Sequence, residues 1–188
     1  MRTTPILSNQ YYHLYNRGVD RQPIFFLSEN WSFFLRRLRQ YFHPSHATII
    51  AYCLMPNHYH LLAHINSDNF SQSVMQPFTV SYTKAINRQH KRVGPLFQGP
   101  FQARLIQSEH YLLGITSYIH LNPVHAGLVA TPEAWEYSSY REYIGLRHGT
   151  LPHPEIILSH FEDSQAYRIF INERMFLKPE IPEDLFID

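Results

Sequence analysis

The sequence predicts an α+β fold, an antiparallel sheet with helices packed on it. Three observations lead there. Four short segments read as strands and three longer ones as helices, from their apolar periodicity. They follow one another as strand, helix, strand, strand, helix, strand, helix. The 188 residues, 44% hydrophobic and 15% aromatic, are enough for one packed core and exclude a disordered chain.

Residues 11–19 are aromatic-rich with partial alternation and read as a strand ending at Gly18. Residues 28–42 read as a helix, with Ser28 as N-cap and Trp31, Phe34, Leu35, Leu38 and Phe42 at helical spacing. His43-Pro44-Ser45 stops it. Residues 47–54 are β-branched and apolar, hence a buried strand. Pro56-Asn57 is a turn signal, and 58–65 returns as the second strand of a hairpin. Residues 69–92 are mostly helical, starting near Ser71, with Pro77 as a kink or new start. Gly94-Pro95 and Gly99-Pro100 bracket a loop before a strand at 101–106. Ser108 caps a helix reaching about Leu121, which Pro123 ends. A short helix is expected at 132–143. Two more helical patterns, 155–161 and 163–176, follow Gly149. The β-α-β-β-α-β series is the ferredoxin-like split pattern, here with helices expected on one face of the sheet. Residues 1–150 read as the main domain and 151–188 as a short, acidic helical C-terminal appendage.

The single Cys53 excludes a disulfide framework and a cysteine-based zinc knuckle. No run approaches the ~20 apolar residues of a membrane span, and no signal peptide is visible, so a cytoplasmic protein without a membrane partner is expected. The net charge of +1 hides an asymmetry. Residues 1–150 carry +6 and residues 151–188 carry −5. From Asn69 to Ser108 there is no acid, but there are Lys84, Arg88, Lys91, Arg92 and Arg104. A basic body with an acidic tail is the pattern of a polyanion-binding protein. Lys84, Arg88, Lys91 and Arg92 share one side at helical spacing and can line a polyanion-binding groove, with Arg17 and Arg104 as further phosphate contacts. The tail could fold against that groove and compete with nucleic acid.

Two local patterns carry chemistry. In His58-Tyr59-His60 the imidazoles share one face of a strand, about 7 Å apart at Cβ, and can converge on one metal. Two imidazoles plus an oxygen ligand suit Mg²⁺, Mn²⁺ or Zn²⁺. In Tyr118-Ile119-His120-Leu121-Asn122-Pro123 the phenol and the amide lie four apart on one helix face. A phenol, with pKa near 10, needs help to act as a nucleophile. Tyr111, two turns earlier, competes for that role. In a chain with 13 His and 13 Tyr, incidental spacing and plain packing remain open for both motifs.

Together these segments resemble the HUH single-strand DNA transposases with one catalytic tyrosine, and in particular the REP-associated tyrosine transposases. The resemblance rests on Met55-Pro56-Asn57-His58-Tyr59-His60-Leu61-Leu62, preceded by Tyr15-Asn16-Arg17-Gly18-Val19. Phe97-Gln98-Gly99, Phe101-Gln102-Ala103-Arg104 and Ser117-Tyr118-Ile119-His120-Leu121-Asn122-Pro123-Val124 follow in order. It spans about residues 10–145. It implies the ferredoxin-like HUH endonuclease fold, His58, His60 and Asn122 as ligands of a divalent metal (Mg²⁺ or Mn²⁺), and Tyr118 as the nucleophile. It further implies a 5′-phosphotyrosine intermediate and single-stranded DNA with hairpins as substrate. Monomer and homodimer both remain open. The family often has Arg where His125 stands. A non-cleaving hairpin-DNA binder is the alternative. A metal-dependent phosphodiesterase of another fold is disfavoured, because a second His-x-Thr/Ser motif is missing.

Overall fold

The computed structural model describes residues 6–177. Strands β1 (Gln10–Arg17), β2 (Ala47–Met55), β3 (His58–Ile65) and β4 (Gln102–Ile106) form one antiparallel sheet. The order is β2-β3-β1-β4, the split arrangement that the element series predicts. The helices are α1 (Ser28–Tyr41), α2 (Gln76–Gln89), α3 (Glu109–His125), α4 (Tyr140–Tyr143), α5 (Glu155–Leu158) and α6 (Ser164–Arg174). A π-turn at Ser71–Met75 leads into α2, and Pro77 lies in its first turn, where no N–H is missed. None of the helices among the described residues is long and apolar enough to cross a membrane.

Helices cover both faces of the sheet, which corrects the expectation of a one-sided layer. On one face Phe34 and Leu38 of α1 and Phe78, Tyr82 and Ile86 of α2 pack on Tyr12, Leu14, Tyr59 and Leu61. On the other face Leu112, Ile115, Ile119 and Leu121 of α3 pack on Tyr15, Ala51, Cys53 and Leu62. The cause is visible in β2 and β3, which are buried at almost every position instead of at alternate ones. A strand apolar on both sides needs two layers. A bulge at Ile50 shifts the β2–β3 register. It returns Tyr52 and Leu54 to the face of Ile49.

Several boundaries differ from the sequence reading. Ser28 is the first residue of α1, not its cap. The turn before it is closed by Asn30, whose Oδ1 accepts from the Phe26 and Leu27 amides at 3.0 Å each. The expected 132–143 helix is a short 3₁₀ turn at Pro132–Ala134, with α4 after it. α3 does not stop at Pro123 but runs two residues further, to His125. Pro123 removes only one late hydrogen bond, and the Ala126 amide still reaches the Asn122 carbonyl at 2.9 Å. Asn122 therefore stays helical, four residues from Tyr118. At the other end Ser108 Oγ accepts from the Tyr111 amide at 3.2 Å, the expected cap.

Helices α5 and α6 pack against α3. Ile157, Tyr167 and Ile171 are buried in the α3 cluster. Glu180, Glu183, Asp184 and Asp188 of the acidic tail lie outside the described residues.

A candidate metal and tyrosine centre

The pleat of β3 turns His58 and His60 toward α3 and sends Tyr59 into the opposite core. α3 crosses this face and presents Tyr118 and Asn122 from one side. His58 Nε2 lies 3.3 Å from Asn122 Oδ1, and His60 Nε2 lies 3.4 Å from Asn122 Nδ2. The Tyr118 ring meets His60 edge-on, with centroids 5.2 Å apart. All four side chains are buried. The structure thus brings together the four residues on which the sequence motifs converge. Tyr118, not Tyr111, is the α3 tyrosine in ring contact with His60.

The far sides of the two imidazoles are also held. His58 Nδ1 is 2.7 Å from Asn57 Oδ1. Asn57 Nδ2 donates to the Arg21 carbonyl at 3.3 Å, which fixes the orientation of that amide. Asn57 can then only accept, so His58 carries a proton on Nδ1, which in the neutral imidazole leaves the lone pair on Nε2. His60 Nδ1 is 2.9 Å from His13 Nε2, one sharing its proton with the other. Burial, followed by the charge of Arg104, pushes the His13 pKa down to about 3. Burial, then His58 and His13, hold the His60 pKa well below its ordinary value. His60 is therefore neutral, as ligation requires.

Among the described residues no three His, Cys, Asp or Glu side chains are grouped to hold a metal. The Asn122 amide is the further polar group that faces both histidines. In the neutral Nδ1–H form of His58, Nε2 and the Asn122 amide oxygen present lone pairs to one another across 3.3 Å. A cation ligated by both would resolve that contact. Two imidazole nitrogens and an amide oxygen fit a divalent cation.

The basic residues divide into groups. Arg17 pairs with His58 and Arg104 with His13 in the sheet register, so both are on strand positions that share the histidine face. Arg17 Nε also donates to Gln98 Oε1 at 2.7 Å. Lys84 and Arg88 are exposed on α2, in the layer on the opposite face. Lys91 and Arg92 lie beyond the end of α2, so the four do not form one helical row. Arg92 stands over the Phe26 ring, 5.4 Å from its centroid.

His13 and Asn57 escaped the sequence reading as site residues. Period two puts His13 on the face of Tyr15 and Arg17, but only the β1–β3 register places it against His60. Asn57 reads as an ordinary turn residue.

Comparisons with known proteins bear on the family and the fold of this chain. The family model described as "Transposase IS200 like" matches residues 6–122. A Haemophilus influenzae protein described as a REP-associated tyrosine transposase is 33% identical over 101 residues, covering 48% of this chain and 57% of that protein. The match thus spans little more than half of that relative. A solved REP-associated tyrosine transposase bound to a REP hairpin superposes with a TM-score of 0.63. It is 16% identical and covers 81% of this chain and 96% of that one, a likeness of fold. A Deinococcus radiodurans chain superposes with a TM-score of only 0.43, too low to argue from. With the matched segment holding both histidines, the tyrosine and the asparagine, the chain belongs to the IS200-like transposase family.

Proposed function

We propose that the protein is a metal-dependent endonuclease and strand transferase for single-stranded hairpin DNA, acting through a 5′-phosphotyrosine. The observation that carries this is the convergence of His58, His60 and Asn122 with Tyr118 on one sheet face. His58 Nε2, His60 Nε2 and Asn122 Oδ1 would hold a divalent cation, Mg²⁺ or Mn²⁺, whose chemistry is to withdraw charge from a phosphodiester and orient it. Tyr118 supplies the attacking oxygen. Its O–P bond forms as the 3′ oxygen leaves with the electron pair of the broken bond. The phenol gives up one proton and the 3′ oxygen takes up one, so the step is proton-neutral. The new ester retains the energy of the phosphodiester, and a second 3′-OH can reverse the step on another strand. Burial of the site restricts water, which would otherwise compete as acceptor. Arg17 and Arg104 share the face of the site and are placed to hold backbone phosphates. Hairpin DNA is the substrate class because the structurally similar transposase is bound to a REP hairpin.

The test is incubation with a labelled hairpin oligonucleotide, with and without Mn²⁺, followed by a denaturing protein gel. Label that co-migrates with protein only when metal is present supports the reading. A hairpin that is bound but never cut favours the alternative, a binding protein without nuclease activity.

A further inference from the structure

His58 is held by a side chain that the reaction does not use. Asn57 accepts from His58 Nδ1 at 2.7 Å and donates to the Arg21 carbonyl at 3.3 Å. Arg21 and its neighbour Asp20 both adopt left-handed backbone, at φ 57° and 52°. Two consecutive non-glycine residues there are strained, and such strain persists only where the surroundings impose it. The turn is pinned on several sides. The Gly18 amide donates to the Asn57 carbonyl at 2.7 Å, and the Arg21 amide to the Gly18 carbonyl at 3.1 Å. Gly18 has no room for a side chain, since a Cβ there would come within 2.0 Å of the Gln22 carbonyl oxygen. This turn aims one carbonyl, that of Arg21, at one amide, that of Asn57.

We propose that Asn57, gripped by the strained 18–22 turn, is a positioning residue that fixes His58 as its Nδ1–H tautomer and so aims a bare Nε2 at Asn122. The inference deepens the metal reading given above and rests on it only for its consequence, not for its geometry. A metal-ligating imidazole needs its second nitrogen anchored by an acceptor. Without Asn57, His58 is free to carry its proton on Nε2, where it blocks ligation. The strained turn then has a purpose. By occupying Asn57 Nδ2 it forces the amide oxygen, the acceptor, toward His58.

Two variants separate positioning from plain structure. Asn57→Leu removes both bonds. Asn57→Asp loses the donor to Arg21 but keeps an acceptor for His58, and a stronger one. The proposal predicts that Asn57→Leu weakens Mn²⁺ binding, measured by titration calorimetry, roughly 10- to 100-fold. It predicts that Asn57→Asp binds as well as the wild type or better. If Asn57 merely held the turn together, both variants would lose its donor and weaken alike, and that result overturns the proposal. The tautomer is read directly, without metal, from the imidazole nitrogen signals of ¹⁵N-labelled protein. The wild type and Asn57→Asp should show His58 protonated on Nδ1, and Asn57→Leu should not. A wild-type His58 protonated on Nε2, or an Asn57→Leu spectrum and affinity equal to the wild type, also overturns it. A wild type that shows the Nδ1–H form but binds no Mn²⁺ supports this inference and refutes the metal reading.

Discussion

Mild acid should expose the burial of His120. This imidazole is enclosed in α3, with Nδ1 on the Tyr167 hydroxyl at 2.7 Å and Nε2 on Ser139 Oγ at 2.8 Å. Burial pushes its pKa from 6.5 down to about 3. The folded protein keeps His120 neutral where the unfolded chain protonates it. Its contribution is complete above the unfolded pKa and is lost as pH falls from about 6.5 toward 3. Between about pH 7.5 and about pH 5.5 the unfolded imidazole gains most of a proton and the folded one almost none. His120 alone should then lower the unfolding free energy by about 1.4 kcal/mol. His13 and His60 add to the total loss, so a difference measurement is needed. Urea unfolding, followed by the fluorescence of Trp31 and Trp135, is run at both pH values on the wild type and on His120→Gln. Glutamine has an amide for the same partners and does not titrate. The variant should lose about 1.4 kcal/mol less than the wild type between the two conditions. If both lose the same amount, His120 is not held neutral and the reasoning fails.

Other perturbations probe separate parts of the structure. Tyr167→Phe deletes the hydroxyl that bonds His120 and should destabilise the protein by about 1–3 kcal/mol, because a buried nitrogen loses its partner; a change within ~0.5 kcal/mol in urea titration would show that α6 does not brace α3 in this way. Gly18→Ala forces the 18–22 turn to shift, and should both lower thermal stability and weaken Mn²⁺ binding; unchanged values would mean the turn yields without effect. Arg104→Gln should flatten the plot of log affinity against log salt for hairpin DNA by about 0.7, whereas Lys84→Gln, in the α2 layer, should leave the slope alone. Equal slopes for the two variants would place DNA on both faces.

The fold was legible because its binary patterns are strong. The 58–65 strand, the turn at Pro56-Asn57 and the restart at Pro77 all stand where local chemistry puts them. The second helical layer was less so. Its signal was in β2, where Ile49 to Met55 shows no alternation, but that run says only that a strand is buried. α3 is buried on nearly every side from Leu112 to Pro123, so it has no polar stripe to show which face meets the sheet. The histidine pair could be placed on one strand face from period two alone. That Tyr118 and Asn122 meet it depends on how α3 crosses the sheet, which sequence spacing does not contain. The resemblance to tyrosine transposases supplied that step. Lys84 and Arg88 show the limit in the other direction, since helical spacing groups them on one side of α2 without telling which layer α2 occupies. His13 and Asn57 act through strand register and a strained turn, both products of tertiary structure.

In the proposed reaction Tyr118 attacks DNA with His58, His60 and Asn122 around it. Its most direct test is mass spectrometry of the protein after reaction with hairpin DNA and Mn²⁺, digested with trypsin and nuclease. A nucleotide-phosphate adduct is expected on Tyr118, absent when His58→Ala or His60→Ala protein is used. An adduct on Tyr111 or another residue, or cleaved DNA with no adduct on the protein, would contradict it.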